Sequence, residues 1–338
     1  MNDADIDLDR LPTDASGRLR GSVPVIDIGG LDESSRADAP VSRIAEACRD
    51  WGFFQVVNHG IDPALIAATI AEMRAFFAQP ARRKEAILRT RENPWGYYHN
   101  ELTKNQRDKK EVFDFTTDGI DPVYCASNRW PDTADRFRET MRRYRDASAK
   151  LSLRLLRAMC AGLGLPPDHL DGAFDPDHTG FIRLNYYPVR DPLAERDDIA
   201  HLPVADLGVH HHTDAGALTV LLQDEVGGLQ VCRDGYWHDV PPVKGAFVIN
   251  TGDMMQVWSN DRYQAAIHRV LAMETSDRYS IPFFYNPSVD THIVPLALPG
   301  SNEPPHYRTI AWADFRRKRT DGDYADYGAE VQIAQYRI

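Results

Sequence analysis

The sequence predicts an α+β fold in which a double-stranded β-helix, or jelly roll, is flanked by N-terminal and central helices. Before residue 175 the apolar residues recur mostly at helical spacing. Between Gly180 and Asn286 the chain instead becomes a series of short β-rich segments separated by Gly, Pro and Asp turns. Many short strands without intervening helices favour an antiparallel sandwich or barrel, and a double-sheet jelly roll is the simplest closure.

The N-terminal half is expected to begin with a strand at residues 25–28, followed by two amphipathic helices that flank a second strand. The second helix has a clear start, because Asp62 is a capping residue and Pro63 suits the first helical position. A long helix ends at Gly162 and Gly164, before a pair of prolines. The predicted bounds are residues 42–50, 63–78 and 133–163 for these helices and 52–57 for the second strand.

The β-rich part predicts six strands, and the tail after Pro287 predicts one helix at residues 312–319. The six strands are expected at residues 181–187, 218–222, 229–231, 246–250, 265–270 and 280–285. We interpret residues 1–22, which are polar and aperiodic, as a flexible leader, and residues 23–338 as a single domain. That domain divides into a helix-rich region (23–175), the jelly-roll core (176–290) and a C-terminal extension (291–338).

Composition excludes several classes of partner. The chain has 39 Lys+Arg against 50 Asp+Glu, a formal charge of −11, so its field repels nucleic acid and anionic membranes. The four cysteines have no metal-type or redox spacing, and no apolar run is long enough to span a bilayer. These features predict a cytoplasmic protein without nucleic-acid or membrane partners, and they say nothing of its oligomeric state.

One His-x-Asp pair, His212 and Asp214, suggests a metal site, since residues two apart on a strand point to the same face. A third ligand from another strand, His268, would complete a two-histidine, one-carboxylate face. That arrangement leaves coordination positions open and suits Fe(II). Either segment alone is equally consistent with a solvated histidine run or a core histidine. His210 and His211 lack a carboxylate at this offset, which favours a structural role for them.

Two further groups of residues could bind an acid. Arg278 and Ser280 share one strand face and offer a guanidinium fork with a hydroxyl, which suits the far carboxylate of a dicarboxylate. A second same-face group, Arg183, Asn185 and Tyr187, adds donors. In isolation, the sequence favours a surface ion pair for Arg278 and a core aromatic for Tyr187.

Taken together, these residues make the chain similar to the isopenicillin N synthase-like branch of the 2-oxoglutarate- and Fe(II)-dependent oxygenases. The matching segments, in chain order, are residues 23–27, 51–60, 185–188, 212–219, 227–231, 250–253, 259–260, 268–270 and 278–280. The resemblance implies Fe(II) on His212, Asp214 and His268, and 2-oxoglutarate held by Arg278 and Ser280 with Asn185 and Tyr187 at its oxoacid end.

The same resemblance implies an activity. A member of this branch would use O2 and 2-oxoglutarate to hydroxylate, desaturate or close a ring in a small organic metabolite of secondary metabolism, with release of succinate and CO2. Isopenicillin N synthase keeps the iron triad and the Arg-x-Ser pair without using 2-oxoglutarate, so an oxidase of that kind is an alternative. Asn185 and Tyr187 resemble the 2-oxoglutarate users. A metal-free jelly roll acting as a small-molecule sensor, and a chance Zn(II) or Ni(II) occupant, are further alternatives.

The substrate is not readable from the sequence, but aromatic segments suggest a ligand with apolar surface. These segments are residues 94–99, 113–115, 258 and 284–286, from which we select Phe113, Phe115, Phe284 and Asn286 as substrate candidates. Arg183 is a fifth candidate, because the residue at its position faces substrate in the plant flavonoid oxygenases that the chain resembles. Arg183 would then orient an acidic or carbonyl-bearing substrate. An ion pair between Arg183 and a structural carboxylate is equally consistent with the sequence.

Overall fold

The computed structural model describes residues 8–14, 21–31, 39–103, 106–132, 135–174, 176–191, 207–324 and 331–338. Its helices are α1 (Ala39–Asp50), α2 (Pro63–Phe77), α3 (Ala81–Glu85), α4 (Asp135–Gly162), α5 (Asp253–Trp258) and α6 (Trp312–Tyr324). Helix α2 begins as predicted, because the Asp62 carboxylate accepts a 2.9 Å hydrogen bond from the Ala64 amide.

The strands are short, as expected for the β-rich part, and several lie in the N-terminal half. They are β1 (Val25–Asp27), β2 (Phe53–Val57), β3 (Gly96–Tyr98), β4 (Leu102–Thr103), β5 (Gln106–Arg107), β6 (Glu111–Thr116), β7 (Phe181–Tyr187), β8 (Leu207–His212), β9 (Leu218–Gln223), β10 (Leu229–Arg233), β11 (Tyr236–Asp239), β12 (Phe247–Thr251), β13 (His268–Leu271), β14 (Arg278–Tyr285), β15 (His292–Ile293) and β16 (Ile310–Ala311).

Two sheets form the core. The large sheet has the order β1-β2-β12-β9-β14-β7-β6-β3 and the small sheet the order β11-β10-β13-β8. Side chains of both sheets, such as Leu221 and Val248 from the large one and Val231 and Val270 from the small one, pack in one buried cluster. The jelly-roll prediction and the α+β class are therefore confirmed.

The opposite face of the large sheet is covered by helices. Residues such as Phe54 of β2, Val220 of β9 and Phe283 of β14 are fully buried there against α1, α2 and α4. The inner face of the large sheet, toward the small sheet, carries polar residues such as Asn185, Thr219 and Ser280.

The helix-rich N-terminal region contributes more to the sheet than its composition indicates. Strands β1, β2, β3 and β6 come from this region and join the same sheet as β7, β9, β12 and β14. Strand β6 was not expected, because its charged residues Glu111 and Asp114 interrupt the apolar pattern. The proposed domain boundaries themselves stay a prediction.

Part of the predicted flexible leader packs against the small sheet. The Asp14 amide donates to the Trp237 carbonyl at 2.7 Å, the Trp237 amide donates to the Pro12 carbonyl at 2.8 Å, and the Trp237 indole donates to the Leu8 carbonyl at 2.9 Å. Residues 8–14 are therefore held on β11 and are not loose. The rest of the leader before residue 21, residues 1–7 and 15–20, lies outside the described residues.

Within the described ranges, no helix is both long enough and apolar enough to cross a lipid bilayer.

Candidate metal centre

Three predicted ligands meet at one point between the two sheets, on the inner side of the large sheet. His212 and His268 are paired residues of the antiparallel strands β8 and β13, and their ring centroids lie 4.3 Å apart. Asp214 Oδ1 lies 3.6 Å from His212 Nε2 and 3.7 Å from His268 Nε2. All three ligand atoms fall within 4.8 Å of one another, a spacing that a single ion could bridge.

The reason that Asp214 reaches this point differs from the one predicted. Strand β8 ends at His212, so the two-residue alternation of a strand does not extend to Asp214. The loop after β8 is instead fixed by backbone contacts: the Asp253 amide donates to the Asp214 carbonyl at 2.8 Å. A Cβ at Gly252 would lie 2.3 Å from the Gly216 carbonyl oxygen, so this close approach requires glycine.

The two oxygens of Asp214 have different surroundings. Oδ2 accepts hydrogen bonds from Thr219 Oγ1 at 2.5 Å and from Asn250 Nδ2 at 2.8 Å. Oδ1 faces the two imidazoles. The carboxylate is thus oriented to offer one oxygen to a metal while the other is held by the protein.

Both imidazoles are oriented in the same way. His212 Nδ1 lies 2.8 Å from the His210 carbonyl oxygen, and His268 Nδ1 lies 3.1 Å from the Ala266 carbonyl oxygen. A carbonyl can only accept, so Nδ1 donates in each ring, and Nε2 is the ring nitrogen directed at Asp214. Two imidazole nitrogens and one carboxylate oxygen form a donor set that fits Fe(II).

The ionisation of the cluster also suits a cation. Burial alone would raise the pKa of Asp214, but the neighbouring His268 and His212 lower it well below its usual range. Burial and the neighbouring His212 lower the pKa of His268 to about 4. At neutral pH Asp214 is therefore ionised and His268 neutral, the forms that bind metals. Burial lowers the pKa of His212, but its contact with Asp214 raises it overall, so a metal ion would displace a proton bound there.

The predicted acid-binding residues form a second group on the same inner face. In register between β7 and β14, Arg278 pairs with Tyr187 and Ser280 pairs with Asn185. The Arg278 guanidinium lies 4.9 Å from the centre of the Tyr187 ring, and its Nη1 donates to Ser280 Oγ at 3.3 Å. All four residues predicted to bind 2-oxoglutarate are thus neighbours.

Arg278 is a buried cation with only neutral partners among the residues whose positions are known. It is 1% exposed, its Nη2 donates to Gln223 Oε1 at 3.4 Å, and its Nε has no hydrogen-bond partner. Burying a guanidinium without a counter-charge is costly. The site therefore fits an incoming carboxylate, and the alternative of a surface ion pair does not match the structure.

Strand β9 connects the two groups. Thr219, which holds Asp214, and Gln223, which contacts Arg278, lie on the same face of β9. Four residues of strand span about 13 Å. The metal cluster and the buried guanidinium therefore lie on one side of the large sheet.

Two aromatic substrate candidates lie on the opposite face of the large sheet from the site. Phe113 and Phe115 are fully buried in the helix-covered core, where both contact Trp130. Because side chains alternate along a strand, it is Asp114 of β6 that shares the inner face with Arg183, its partner in register. Trp258 is likewise buried in that core against Phe174. The choice of Phe113 and Phe115 is corrected for this reason.

The two substrate candidates of the remaining aromatic segment, residues 284–286, have different surroundings. Phe284 shares a face with Ser280 and stacks on Phe181 with ring centroids 4.6 Å apart. Asn286 lies just after β14, is buried, and donates to the Thr179 carbonyl at 3.5 Å. Phe284 therefore lies beside the site, whereas the amide of Asn286 contacts backbone.

Arg183 is engaged by carboxylates. Its Nε and Nη2 donate to the two oxygens of Asp114, each at 2.8 Å, and its Nη2 lies 2.9 Å from Glu101 Oε1. The ion-pair alternative is thus present in the structure, although Arg183 also lines a cleft. A substrate role for Arg183 stays a prediction.

This cleft was not predicted as a unit. It is lined by Arg89, Pro94, Trp95, Asp114, Tyr124, Phe181, Arg183, Arg316 and Thr320. Pro94 and Trp95 lie in a segment predicted to line the pocket. Arg316 was missed, because one arginine on a tail helix carries no signal of what lies opposite it. Thr219 and Asn250, which donate hydrogen bonds to Asp214, lie in segments that resemble the family, but no role was predicted for them.

His210 and His211 stand apart from the metal cluster. His210 Nδ1 lies 3.4 Å from Asp108 Oδ1, and His211 Nε2 lies 3.5 Å from Asp9 Oδ1. These contacts agree with the structural role that the sequence favoured for them.

Comparison with known proteins is consistent with this geometry. A family model described as the 2OG-Fe(II) oxygenase superfamily matches residues 178–287, and one described as the N-terminal part of a non-haem dioxygenase in morphine synthesis matches residues 23–133. Jasmonate-induced oxygenase 2 of Arabidopsis thaliana is 36% identical over 320 residues, which cover 93% of this chain and 83% of that protein.

Two further matches agree. Flavone synthase of Petroselinum crispum is 34% identical over 317 residues, which cover 92% of this chain and 84% of that protein. The crystal structure of JOX2 in complex with 2OG, Fe and JA superposes with a TM-score of 0.79 at 33% identity, and the match covers 98% of this chain and 93% of that one.

Proposed function

This chain belongs to the 2-oxoglutarate- and Fe(II)-dependent oxygenase superfamily, and we propose that it holds its iron on His212, Asp214 and His268. It is a dioxygenase that oxidises a small organic molecule with release of succinate and CO2. The observation that supports the ligand assignment is the convergence of the three ligand atoms within 4.8 Å.

The protein's own contribution is to orient the reactants. When bound, iron and 2-oxoglutarate supply the means to activate O2 for oxidation of a C–H bond. Thr219 and Asn250 hold one oxygen of Asp214 so that the other is directed at the iron, and the carbonyls of His210 and Ala266 fix both imidazole rings. A ligand set oriented in advance needs no rearrangement when the iron binds.

For 2-oxoglutarate, the buried guanidinium of Arg278 is the proposed partner of the far carboxylate, with Ser280 beside it. The opposite end would lie toward the metal cluster on the same face, near Asn185. One dicarboxylate would then bridge the two polar groups of the inner face, and it would give Arg278 the counter-charge that the described residues do not provide.

The substrate is proposed to enter the cleft beside Phe284 and Phe181. Names of related proteins point to small organic molecules, since one is called flavone synthase and another was solved with JA. The aromatic walls of the cleft suit a ligand with apolar surface. Whether the outcome is hydroxylation, desaturation or ring closure is a matter of how the substrate is positioned. The cytoplasmic location and the lack of nucleic-acid and membrane partners stay predictions.

The test is a screen of candidate metabolites scored by succinate formation with Fe(II), 2-oxoglutarate and O2. We expect at least one metabolite to raise succinate formation above the substrate-free rate and to be consumed itself. The Asp214→Asn variant, which keeps the hydrogen-bonding shape but removes the charge, should form none. A product formed equally well without 2-oxoglutarate would instead identify an oxidase.

A further inference from the structure

The cleft beside the metal centre contains one arginine whose charge is poorly matched. Arg316 of α6 is 4% exposed, and its Nη1 donates to the Thr179 carbonyl at 2.8 Å. Among the described residues, the one carboxylate oxygen within 4.0 Å of its guanidinium is Asp121 Oδ2, at 4.0 Å from Nη2. The other oxygen of Asp121 already accepts the amides of Val123 and Tyr124, at 2.9 Å and 3.0 Å.

The other two arginines of the cleft are different. Arg183 and Arg89 share Asp114 and Glu101, with contacts as short as 2.8 Å and 2.9 Å. Their charges are therefore balanced by buried carboxylates inside the protein. Arg316 is the cation of this cleft that has most to gain from an anionic ligand.

The surroundings of Arg316 are aromatic. Its guanidinium lies 5.6 Å from the Trp95 ring centre, 5.3 Å from that of Tyr124 and 5.5 Å from that of Phe181. These rings attract the cation only weakly, and its other N–H groups have no hydrogen-bond acceptor among the described residues. The Trp95 indole N–H is a second buried donor without a partner in the described part of the chain. Two such donors beside aromatic rings suit an acceptor that is negatively charged.

The cleft also lies close to the metal centre. Phe181, which lines it, stacks on Phe284, and Phe284 is paired with Thr219, the residue that holds Asp214. On α6, Arg319 lies one turn beyond Arg316 and donates to the Thr213 carbonyl between two of the proposed ligands, at 2.7 Å. A molecule anchored at Arg316 would therefore present its other end toward the iron.

We propose that Arg316, with Trp95, binds the carboxylate of an aromatic or otherwise apolar monocarboxylic acid, which is the substrate class of this enzyme. This proposal rests on the oxygenase function proposed above and specifies its substrate. A flat carboxylate matches the fork of a guanidinium, and the rings of the cleft cover an apolar body. A second carboxylate on the ligand would gain little, because Arg89 and Arg183 of the cleft are already paired with Glu101 and Asp114. The oxidised carbon then lies at the end away from the carboxylate, which survives the reaction.

The experiment compares aromatic monocarboxylates with their primary amides, from phenylacetate and 3-phenylpropanoate to biphenyl-4-carboxylate. Binding is measured by fluorescence titration on protein loaded with Mn(II) and 2-oxoglutarate, so no turnover is needed. We expect acids of this panel to bind at least about tenfold more tightly than their amides, because a charge-assisted hydrogen bond is lost in the amide.

Variants locate the preference. Arg316→Met should abolish the preference for acids over amides, and Arg316→Lys should retain part of it. Trp95→Phe should weaken this preference without removing a charge. Lys318→Met, an exposed position of the same helix, is the matched control and should keep it. Melting temperatures identify any variant that fails to fold, and in that case Trp95→Phe decides the question.

Equal affinity for acids and amides across the panel in the wild-type protein, or a preference that survives in folded Arg316→Met, would overturn the proposal. Its failure is distinguishable from failure of the oxygenase assignment, because succinate formation by the wild-type enzyme with Fe(II), 2-oxoglutarate and O2 is measured separately. Succinate formation without acid preference refutes only the substrate class.

Discussion

Arg319 of α6 donates a 2.7 Å hydrogen bond to the carbonyl oxygen of Thr213, the residue between His212 and Asp214. The same Nη2 atom lies 3.1 Å from Thr213 Oγ1 and 3.4 Å from Asp253 Oδ2, and Nη1 donates to the Val331 carbonyl at 2.6 Å. The C-terminal helix thus holds the turn that carries two of the three proposed ligands.

Exchange of Arg319 for methionine should weaken metal binding. The turn would lose the donor that fixes its carbonyl, and loss of such an outer contact typically costs ten- to a hundredfold, on the order of 1.4 to 2.8 kcal/mol, in metal affinity. The measurement is an anaerobic Co(II) titration followed by visible absorption. Lys318→Met should titrate like the wild type, and a folded Arg319→Met protein with wild-type affinity would refute this role.

Thr219 and Asn250 should act on the metal through Asp214. Asn250→Ala or Thr219→Val removes one of the two donors to Oδ2, so the carboxylate is held less firmly and the affinity for Co(II) should fall about tenfold or more. At saturating metal, the half-saturation concentration for 2-oxoglutarate should change little, because Arg278 is untouched. An effect on 2-oxoglutarate as large as that on the metal would show that these residues act on the fold in general.

Arg183→Met should destabilise the protein. It would leave the buried Asp114 and Glu101 with less positive charge, although Arg89 still contacts both and Lys110 still contacts Glu101. We therefore expect the free energy of unfolding to fall by an amount toward the lower end of the roughly 3 to 5 kcal/mol that is typical of a broken buried ion pair. Chemical denaturation measures it, with the exposed Arg143→Met as control.

The same variant tests the substrate role predicted for Arg183. If Arg183 orients substrate, Arg183→Met should keep a normal half-saturation for 2-oxoglutarate while succinate formation uncouples from product. Unchanged coupling and unchanged substrate affinity in the folded variant would leave Arg183 with the ion pair alone.

Local signals in the sequence were sufficient for much of the fold. Strand β7 and helix α2 match their predicted bounds to within one residue, because alternation and a cap with proline are local features. Strand β6 was missed, since its charges are neutralised by residues far away in the sequence, Lys84 for Glu111 and Arg183 for Asp114. A single sequence does not display such pairings.

The candidate site shows the same division. Strand alternation grouped Arg278 with Ser280 and Asn185 with Tyr187, and the family resemblance joined the two pairs into one set. The register of β7 and β14 places all four side by side. The argument for His212 and Asp214 led to the correct neighbours for a reason that the structure does not support, as β8 ends first. Arg316 could not be found, because its aromatic surroundings come from three separate segments.

The central claim is that one 2-oxoglutarate molecule contacts both the metal held by His212, Asp214 and His268 and the guanidinium of Arg278. The most direct test is the affinity for 2-oxoglutarate, measured by calorimetry without oxygen, in the presence and absence of Mn(II). The account predicts tight binding to the wild type only with metal and no gain from metal in His268→Ala. In Arg278→Leu it predicts binding weakened by on the order of 2 to 5 kcal/mol, at least about thirtyfold. Affinity that is equal with and without metal, or unchanged in Arg278→Leu, would contradict it.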